Sequence, residues 1–382
     1  MRSRASVVII GAGAVGSSIA YNLARMGARD VVVVEKKFVA WGSTGRCAAG
    51  VREQWGTEIN CLLSKRSLGI LENLEEELEY SGDIEFKQKG YLILAYTERE
   101  WEQFKKNVSL QNSLGIPSQC ITPEEAHSIV PILNTEGLLG ATFCSTDGHC
   151  NPFRVTVAYA EAAQRLGVEI TSHTSVTGLI MKGDRVAGVR TDKGDIEADT
   201  VICTAGPYSQ LIGEMAGVSL PNYAERHQIL VTEPVEPLQG PMVISFSRRF
   251  YCQQTPHGGF IMGMGDPNEP KSYNIGQSWQ FLEETTRVAC DILPPLKDLS
   301  LVRQWSGLYD MTPDSQPVLG QVPGVRSLFI ASGFSGHGLM LAPVTGILLA
   351  EMVLGMPAST DVSMLDVGRF ERGELVMEPS VV

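Results

Sequence analysis

The chain has 382 residues, of which 43% are hydrophobic and 19% are charged, and its formal net charge at pH 7 is −12. This composition is typical of a globular protein and excludes wholesale disorder. The acidic balance argues against nucleic-acid binding, because a phosphate backbone is bound by a concentrated basic surface. Since a single hydrophobic core rarely grows beyond about 250–300 residues, the length predicts two domains.

The apolar segments predict buried elements and no transmembrane segment. The first six residues lead directly into a strand-like run, without a segment of the signal-peptide type. The apolar stretch near the end, residues 339–354, is interrupted by Pro343 and Glu351 and falls short of a membrane span. We therefore expect a cytoplasmic protein.

The eight cysteines contain no CxxC pair and have no histidine at a zinc-ligand spacing, so no metal site is predicted. We expect reduced and mostly buried thiols at Cys47, Cys61, Cys120, Cys144, Cys150, Cys203, Cys252 and Cys290.

The N-terminal segment has the pattern of a dinucleotide-binding site. An apolar run from Val7 to Ile10 is followed by Gly11-Ala12-Gly13-Ala14-Val15-Gly16. The glycines suit, in turn, a tight turn, close approach of a pyrophosphate and packing of the following helix on the strand. A second apolar run, Val31 to Val34, ends on Glu35, whose carboxylate would bind the ribose hydroxyls.

The elements that follow predict a discontinuous first domain. After a glycine-rich loop over 42–50, periodicity predicts a helix over 59–78 with its acidic residues facing solvent, a strand over 91–95 and a helix over 98–114. Later come helices over 152–166, 278–293 and 343–354 and strands over 168–171, 176–179, 186–190, 200–203 and 328–332, with a hairpin turn near 193–195. Small-residue turns at Gly206 and Gly333 end two of these strands and would let backbone approach a ligand.

The predicted fold class is therefore α/β, with a Rossmann-type nucleotide domain and an α+β substrate domain built on a mixed sheet. We place the nucleotide domain at residues 1–84, 145–225 and 325–382, and the substrate domain at 85–144 and 226–324.

The recurrence of glycine turns far from the first motif favours FAD over a nicotinamide cofactor. With Gly333 to Pro343 beside the N-terminal motif, the chain resembles the D-amino-acid-oxidase-like flavoproteins over nearly its whole length. Within that family it resembles the beta subunits of hetero-oligomeric L-proline dehydrogenase and sarcosine oxidase. The segments that carry this likeness are Ser43-Thr44-Gly45-Arg46-Cys47, Gly50-Val51-Arg52-Glu53-Gln54, Thr146-Asp147-Gly148 and Arg369 to Leu375.

The resemblance implies an extended, noncovalent FAD. Its adenine end would lie on the first glycine motif, Glu35 and Val176, and its isoalloxazine ring against residues 44–50 and 334–340. In related single-chain sarcosine oxidases a cysteine near the Tyr309 segment binds FAD covalently, but no cysteine stands between Gly307 and Pro313 here, so we expect releasable FAD. The implied cofactor-binding residues are Gly11, Gly13, Ala14, Val15, Gly16, Glu35, Lys36, Ser43, Thr44, Arg46, Cys47, Ala48, Ala49, Gly50, Val176, Ala205, Gly206, Gly333, Phe334, Ser335, Gly336, His337, Gly338, Leu339 and Met340.

Four residues are candidates for catalysis. Arg52 resembles the arginine that binds the substrate carboxylate in sarcosine oxidases, with an internal salt bridge as the alternative. His337 would contact flavin through its imidazole or through its backbone. Tyr251 would line the substrate side, on one face of a strand with Gln253 and Thr255. His257, taken alone, is expected in the core or on the surface.

Met340 completes the set and favours a dehydrogenase. Related sarcosine oxidases carry a lysine there, whereas proline dehydrogenase beta subunits carry methionine, and losing the cation weakens stabilisation of anionic oxygen species. Pro152 stands near the position where the sarcosine oxidase beta subunit holds FMN through a histidine, so any FMN at a partner interface would be noncovalent.

The resemblance thus implies an FAD-dependent dehydrogenase that oxidises the C–N bond of L-proline or, second, sarcosine, by hydride transfer to flavin N5. It also implies an alpha subunit as partner, with the electron acceptor unknown. The alternatives are a self-sufficient glycine or D-amino-acid oxidase that produces hydrogen peroxide, and a non-catalytic subunit that holds FAD.

Overall fold

The computed structural model describes residues 2–378. Two eight-stranded sheets and a two-stranded ladder organise them. The strands are β1 (Arg4–Ile10), β2 (Val31–Val34), β3 (Gly50–Val51), β4 (Tyr91–Ala95), β5 (Gln119–Ile121), β6 (Gly140–Cys144), β7 (Gly148–His149), β8 (Glu169–Thr171), β9 (Val176–Lys182), β10 (Arg185–Thr191), β11 (Gly194–Cys203), β12 (Tyr223–Thr232), β13 (Met242–Ser245), β14 (Phe250–Gln254), β15 (Phe260–Met264), β16 (Leu301–Met311), β17 (Val318–Gln321) and β18 (Leu328–Ser332).

The helices pack mainly on the faces of these sheets. They are α1 (Ala14–Arg25), α2 (Glu58–Leu71), α3 (Leu74–Glu77), α4 (Glu98–Ser113), α5 (Pro123–Ile129), α6 (Pro152–Arg165), α7 (Ser209–Met215), α8 (Trp279–Ile292), α9 (Gly338–Leu354) and α10 (Arg369–Arg372), with short 3-10 helices at Thr44–Arg46, Gly206–Tyr208, Pro294–Asp298 and Ser363–Leu365.

The first sheet has the order β17-β18-β11-β1-β2-β8, with β9 and β10 attached to β11 as a meander. β1 runs parallel to both β11 and β2, and a central parallel strand buried on both faces needs a continuous apolar run. Val7 and Ile9 therefore face the core that contains α1, α6 and α9, while Val8 and Ile10 face a second core. This arrangement brings the glycine turn after β1 to the carboxyl edge of the sheet.

The second sheet has the order β16-β12-β15-β14-β13-β4-β6-β5 and is antiparallel except where β13 pairs with β4. One face packs on α5 and α8 around Phe250 and Phe260. The opposite face carries Tyr91, Ile229 and Tyr251 and packs against Ala48 of the glycine-rich loop. The two mixed sheets confirm the predicted α/β fold class with an additional mixed sheet.

The predicted helices and strands agree with the structure apart from two helices. The helix predicted over 59–78 is divided into α2 and α3, because Asn73 leaves the helical conformation and donates a side-chain hydrogen bond to the carbonyl of Gly69. The helix predicted from residue 343 begins at Gly338 instead. Pro343 has no N–H to donate, and the next amide, that of Val344, donates to Ser67 Oγ.

The proposed division into two domains stays a prediction, and two strands do not respect its boundaries. β12 begins at Tyr223, before the boundary predicted at residue 226, although it belongs to the second sheet. β17 precedes the boundary predicted at residue 325, yet it pairs with β18 in the first sheet. All eight cysteines are free and five are buried, as the sequence indicated, although Cys120 is exposed. Among residues 2–378, no helix is both long enough and apolar enough to cross a bilayer.

Candidate functional site

A cavity of about 340 Å³ lies between the two sheets. One end is walled by the turns that follow β1, β2 and β11. The other end is walled by side chains of β12, β14 and β16 and by the segment before α9. The three glycine turns that follow β1, β11 and β18 all contribute residues to the lining of the cavity, because these parallel strands end at the same edge of the first sheet.

The first end of the cavity requires glycine. Gly11 has a φ of +108°, and a Cβ there would lie 2.6 Å from the carbonyl oxygen of Thr204. A Cβ at Gly16 would collide with the carbonyl oxygen of Gly11. Gly13 stands before the N-terminus of α1 and has no side chain to cap the helix, while the Ala14 amide donates to Thr44 Oγ1 at 3.1 Å. A pyrophosphate fits this end, since free N–H groups and the helix dipole stabilise an anion.

The carboxylate of Glu35 is held at the end of β2. Oε2 accepts a hydrogen bond from the Ala12 amide at 2.9 Å, and Oε1 accepts one from the Lys37 amide at 2.8 Å. The Lys36 ammonium lies 3.5 Å from the ring centroid of Tyr208, which also lines the cavity. These groups stand where the ribose of an extended dinucleotide would bind.

The glycine-rich loop joins the two sheets across the cavity. Ser43 Oγ donates to the Leu308 carbonyl at 2.6 Å, and Arg46 Nη1 donates to the Ser306 carbonyl at 3.0 Å. The indole of Trp305 donates to the Arg46 carbonyl at 3.0 Å. The Arg46 guanidinium therefore forms a structural contact in this structure, and β16 fixes the loop.

Among residues 2–378, Cys47 is the cysteine that lines the cavity. Its Sγ donates to the Thr44 carbonyl at 3.0 Å, and burial raises its pKa to about 11. A protonated thiol is a poor nucleophile. At Gly307 the chain offers no side chain, and an added Cβ would lie 3.1 Å from that of Arg46. Both features suit a noncovalent cofactor.

The second end of the cavity is aromatic. The rings of His227 and Tyr309 stack with centroids 3.6 Å apart at an angle of 10°, and Glu225 Oε1 lies 3.2 Å from His227 Nε2. Tyr251 lines the same region, and burial raises the pKa of both phenols, so they stay neutral. The cavity can therefore hold an apolar ring at this end, surrounded by hydrogen-bonding groups.

Asp310 connects this aromatic end to the turn after β18. Its carboxylate accepts hydrogen bonds from the Gly333 amide and, at 2.9 Å, from Asn222 Nδ2. Burial raises its pKa to about 6, although both hydrogen bonds oppose that shift. The Asp310 carbonyl also accepts from the Ser335 amide, so Asp310 fixes the backbone of 333–335.

Of the four predicted catalytic residues, Tyr251 lines the cavity and three lie behind its wall. Arg52 is 3% exposed and stacks on Trp55, with the guanidinium carbon 3.7 Å from the ring centroid. The ring of His337 meets Trp55 edge-on at 4.3 Å, and burial, together with the Arg52 charge, lowers the pKa of His337. Met340 is buried in the core under α9. The catalytic roles stay predictions.

Most predicted cofactor residues line the cavity. Those that do not are Ala49, Gly50, Gly333, Ser335, His337 and Met340. Their backbone is engaged elsewhere, as when the Ala49 carbonyl accepts from the Cys150 amide. Gln253 donates to the Ala48 carbonyl at 2.6 Å, whereas Thr255 lies beyond β14. His257 is on the surface near Glu85.

Several aromatic residues that line the cavity were not predicted from the sequence as site residues: Trp41, Tyr208, His227 and Tyr309. Alternation along β12 could have found one of them, because Glu225, His227 and Ile229 share a face of that strand. Nothing in the sequence showed that β12 borders the cavity, since this depends on its pairing with β16.

A buried acidic cluster lies behind Arg52, where ligand atoms of Glu53, Cys144 and Asp147 fall within 4.8 Å of one another. The Asp147 carboxylate accepts from the Glu53 amide at 2.6 Å and from Gln54 Nε2 at 2.8 Å. Thr146 donates to Glu53 Oε2. Burial raises the pKa of Asp147 to about 7. Since protein donors already engage these oxygens, we interpret the cluster as a hydrogen-bond network.

Comparison with known proteins agrees with this geometry. The family model described as "DAO: FAD dependent oxidoreductase" matches residues 6–352. A crystal structure of L-proline dehydrogenase from P. horikoshii is 38% identical with a TM-score of 0.93, over 98% of this chain and 100% of that one. The sarcosine oxidase subunit beta of Rhodobacter capsulatus is 30% identical over 382 residues, 99% of this chain and 91% of the relative.

A glycine oxidase structure from Geobacillus kaustophilus is 26% identical with a TM-score of 0.89, over 96% of this chain and 99% of that one. These matches extend over nearly the whole chain and confirm the resemblance that the motifs predicted.

Proposed function

The chain belongs to the DAO family of FAD-dependent oxidoreductases, and from this premise we propose that it oxidises the C–N bond of a small secondary-amine amino acid. L-proline is the first candidate and sarcosine the second. The supporting observation is the full-length similarity to a protein named L-proline dehydrogenase. Position 340 carries methionine and not lysine, and this feature of the chain favours a dehydrogenase over an oxidase.

FAD, when bound, supplies the ring that accepts a hydride; positioning of the substrate falls to the protein. The neutral phenols of Tyr251 and Tyr309 exclude water and fill the wall around a small ring. Arg52 would attract the substrate carboxylate from behind that wall, since the guanidinium is buried where charge is poorly screened. Fixed geometry of this kind can supply much of a rate enhancement.

The proposal includes a partner. We propose that the chain acts in the cytoplasm as the beta subunit of a hetero-oligomer and passes electrons to an alpha subunit, with noncovalent FMN at the interface. Pro152 begins α6 and offers no nucleophile for a covalent link. The similarity to a protein named sarcosine oxidase subunit beta supports the proposed subunit arrangement.

A self-sufficient oxidase is the second candidate, because the fold is also similar to that of a glycine oxidase. Such an enzyme would consume oxygen and form hydrogen peroxide stoichiometrically without a partner. A non-catalytic subunit would instead bind FAD that no amine reduces.

An anaerobic titration tests these functions. The visible spectrum of the purified flavoprotein is recorded before and after L-proline, with sarcosine and glycine as parallel samples. We expect L-proline to bleach the flavin band and reoxidation by air to be slow. Rapid oxygen consumption with glycine would favour the oxidase, and a flavin that none of the three reduces would refute the proposed substrate class.

A further inference from the structure

The guanidinium of Arg52 stacks on Trp55, and its Nη1 donates to the Gln54 carbonyl at 2.7 Å. Trp55 is almost fully buried, and its Nε1 donates to the carbonyl of Arg52 at 3.1 Å. The same indole meets the ring of His337, which stands at the N-terminus of α9 beside the cavity. Trp55 therefore lies between Arg52 and His337, and its position helps to set that of the guanidinium.

Trp55 is held by the Gln111 side-chain amide, which donates to its carbonyl at 2.8 Å, and by the start of α2, which begins three residues later at Glu58. Thr57 is the residue before this helix, but its hydroxyl does not cap the helix amides. It donates instead to Glu378 Oε2 at 2.8 Å. The Gly56 amide donates to Glu378 Oε1 at 3.1 Å, and Asn60 Nδ2 donates to Oε2 at 3.0 Å.

Glu378 thus brings a carboxylate from the far end of the chain to the N-terminus of a fourteen-residue helix. It is 4% exposed, and a buried carboxylate is stable only where donors or positive charge compensate it. Three donors and the helix dipole supply that compensation here, and the nearby charge of Arg52 adds to it. The contact is specific enough to fix the residue that precedes α2.

The segment that carries Glu378 is itself bound to the residues that follow β16. Arg369 forms a buried bidentate ion pair with Asp314, with N–O distances of 2.9 and 3.0 Å. The amides of Val376 and Glu378 then contact the oxygens of Asp314 at 3.4 Å. Asp314 follows β16, the strand that presents Tyr309. The segment from Arg369 to Glu378 therefore connects the end of β16, which presents Tyr309 to the cavity, with the start of α2.

We propose that Glu378 is a positioning residue for substrate binding: its carboxylate fixes Gly56, Thr57 and Asn60, and thereby holds Trp55 under the guanidinium of Arg52. This inference rests on the proposed function, because it concerns the binding of an amino-acid carboxylate. Glu378 acts through Trp55 and is not among the residues that line the cavity. The C-terminal segment is in this way a functional part of the site.

The test compares Glu378→Gln with Glu374→Gln, a control in the same segment whose exposed carboxylate pairs with Arg372. Glutamine at 378 keeps the volume but presents an amide that cannot accept from all three donors. We expect KM for L-proline to rise about tenfold with kcat within about twofold, since a small misplacement of a binding group has effects of this size. FAD content per chain should stay unchanged in both variants.

Two further measurements separate positioning from loss of stability. Dissociation of cyclopentanecarboxylate, which has the ring and carboxylate but no amine, is followed through the flavin spectrum. Its Kd should also rise about tenfold in Glu378→Gln, and this increase should vanish in an Arg52→Lys background. Thr57→Val, which removes one of the three donors and keeps the Glu378 charge, should give a smaller increase in the same direction.

Equal KM and Kd values in Glu378→Gln and Glu374→Gln would overturn the inference, as would an effect that persists unchanged in the Arg52→Lys background. The proposed function fails on a different result, namely wild-type flavin that no amine reduces. In that case the cyclopentanecarboxylate titration still tests the role of Glu378. If the Kd of the wild-type protein is no lower than that of Glu378→Gln, the inference is wrong.

Discussion

At the dinucleotide end of the cavity the wall is largely backbone, whereas at the opposite end it consists of large side chains from the second sheet. Gly11, Gly13 and Gly16 let the backbone of the first turn and of the start of α1 line the cavity directly. His227, Tyr251 and Tyr309 instead project from three strands that meet through sheet pairing. A backbone site depends on local sequence, and a side-chain site depends on the tertiary fold.

This difference predicts where substitution is tolerated. At the backbone end, a methyl group added at Gly11 or Gly16 collides with a backbone carbonyl oxygen. At the aromatic end, a changed side chain alters the shape of the cavity and leaves the backbone in place.

Gly16→Ala should abolish FAD binding. The new Cβ would collide with the Gly11 carbonyl and lie 2.6 Å from Thr204 Oγ1, so α1 would have to move away from the turn that receives the pyrophosphate. We expect purified protein without the flavin absorbance band.

Gly69→Ala is the matched control. Gly69 lies inside α2, and a Cβ there meets nothing within 4 Å. Alanine should keep the flavin and stabilise the helix by about 0.5–1 kcal/mol. A Gly16→Ala protein that retains a full complement of FAD would disprove the claim that this end requires glycine.

Arg369→Met should lower the free energy of unfolding by about 3–5 kcal/mol, because it leaves the Asp314 carboxylate buried without its partner. Arg326→Gln, which breaks an exposed pair with Asp184, should cost only about 0–1 kcal/mol. Urea unfolding followed by tryptophan fluorescence measures both. Similar losses in the two variants would show that the buried pair does not fasten the C-terminal segment.

Asp310 gives the aromatic end a pH dependence. Its pKa is raised from 3.8 to about 6 in the folded chain, so between these values the folded state binds the proton more tightly than the unfolded state. Stability should therefore fall as the pH rises from 4 to 6, by up to about 2–3 kcal/mol from this group. Asp310→Asn should flatten that part of the profile, as measured by urea midpoints from pH 4 to 7.

The same contrast explains what the sequence could predict. The strands β1 and β2, the turn at Gly11 and the acid at Glu35 occur within one short segment, so periodicity and glycine spacing were sufficient. The stacking of His227 on Tyr309 joins residues that are distant along the chain, and only the β12–β16 register brings them together. Likewise, no local pattern shows that Trp55 stands between Arg52 and His337.

The smallest predicted effect concerns a contact that joins the two regions. The ring of Tyr273 stacks on that of Tyr208 with centroids 5.2 Å apart, and Lys36 also lies over the Tyr208 ring. The loop with Tyr273 is held by the ion pair of Arg226 with Glu269, at 2.9 Å. The second sheet thereby covers part of the dinucleotide end.

Tyr273→Ala should release FAD about two- to tenfold faster, because an aromatic pair of this kind contributes about 0.5–1.5 kcal/mol. The recovery of free FAD fluorescence after dilution measures the rate. Trp279→Ala, which removes an aromatic side chain that is 73% exposed and lies outside the cavity wall, should leave the rate unchanged. If both variants release FAD at the wild-type rate, the dinucleotide end retains its cofactor through the backbone of the first sheet alone, and the second sheet contributes only to the aromatic end.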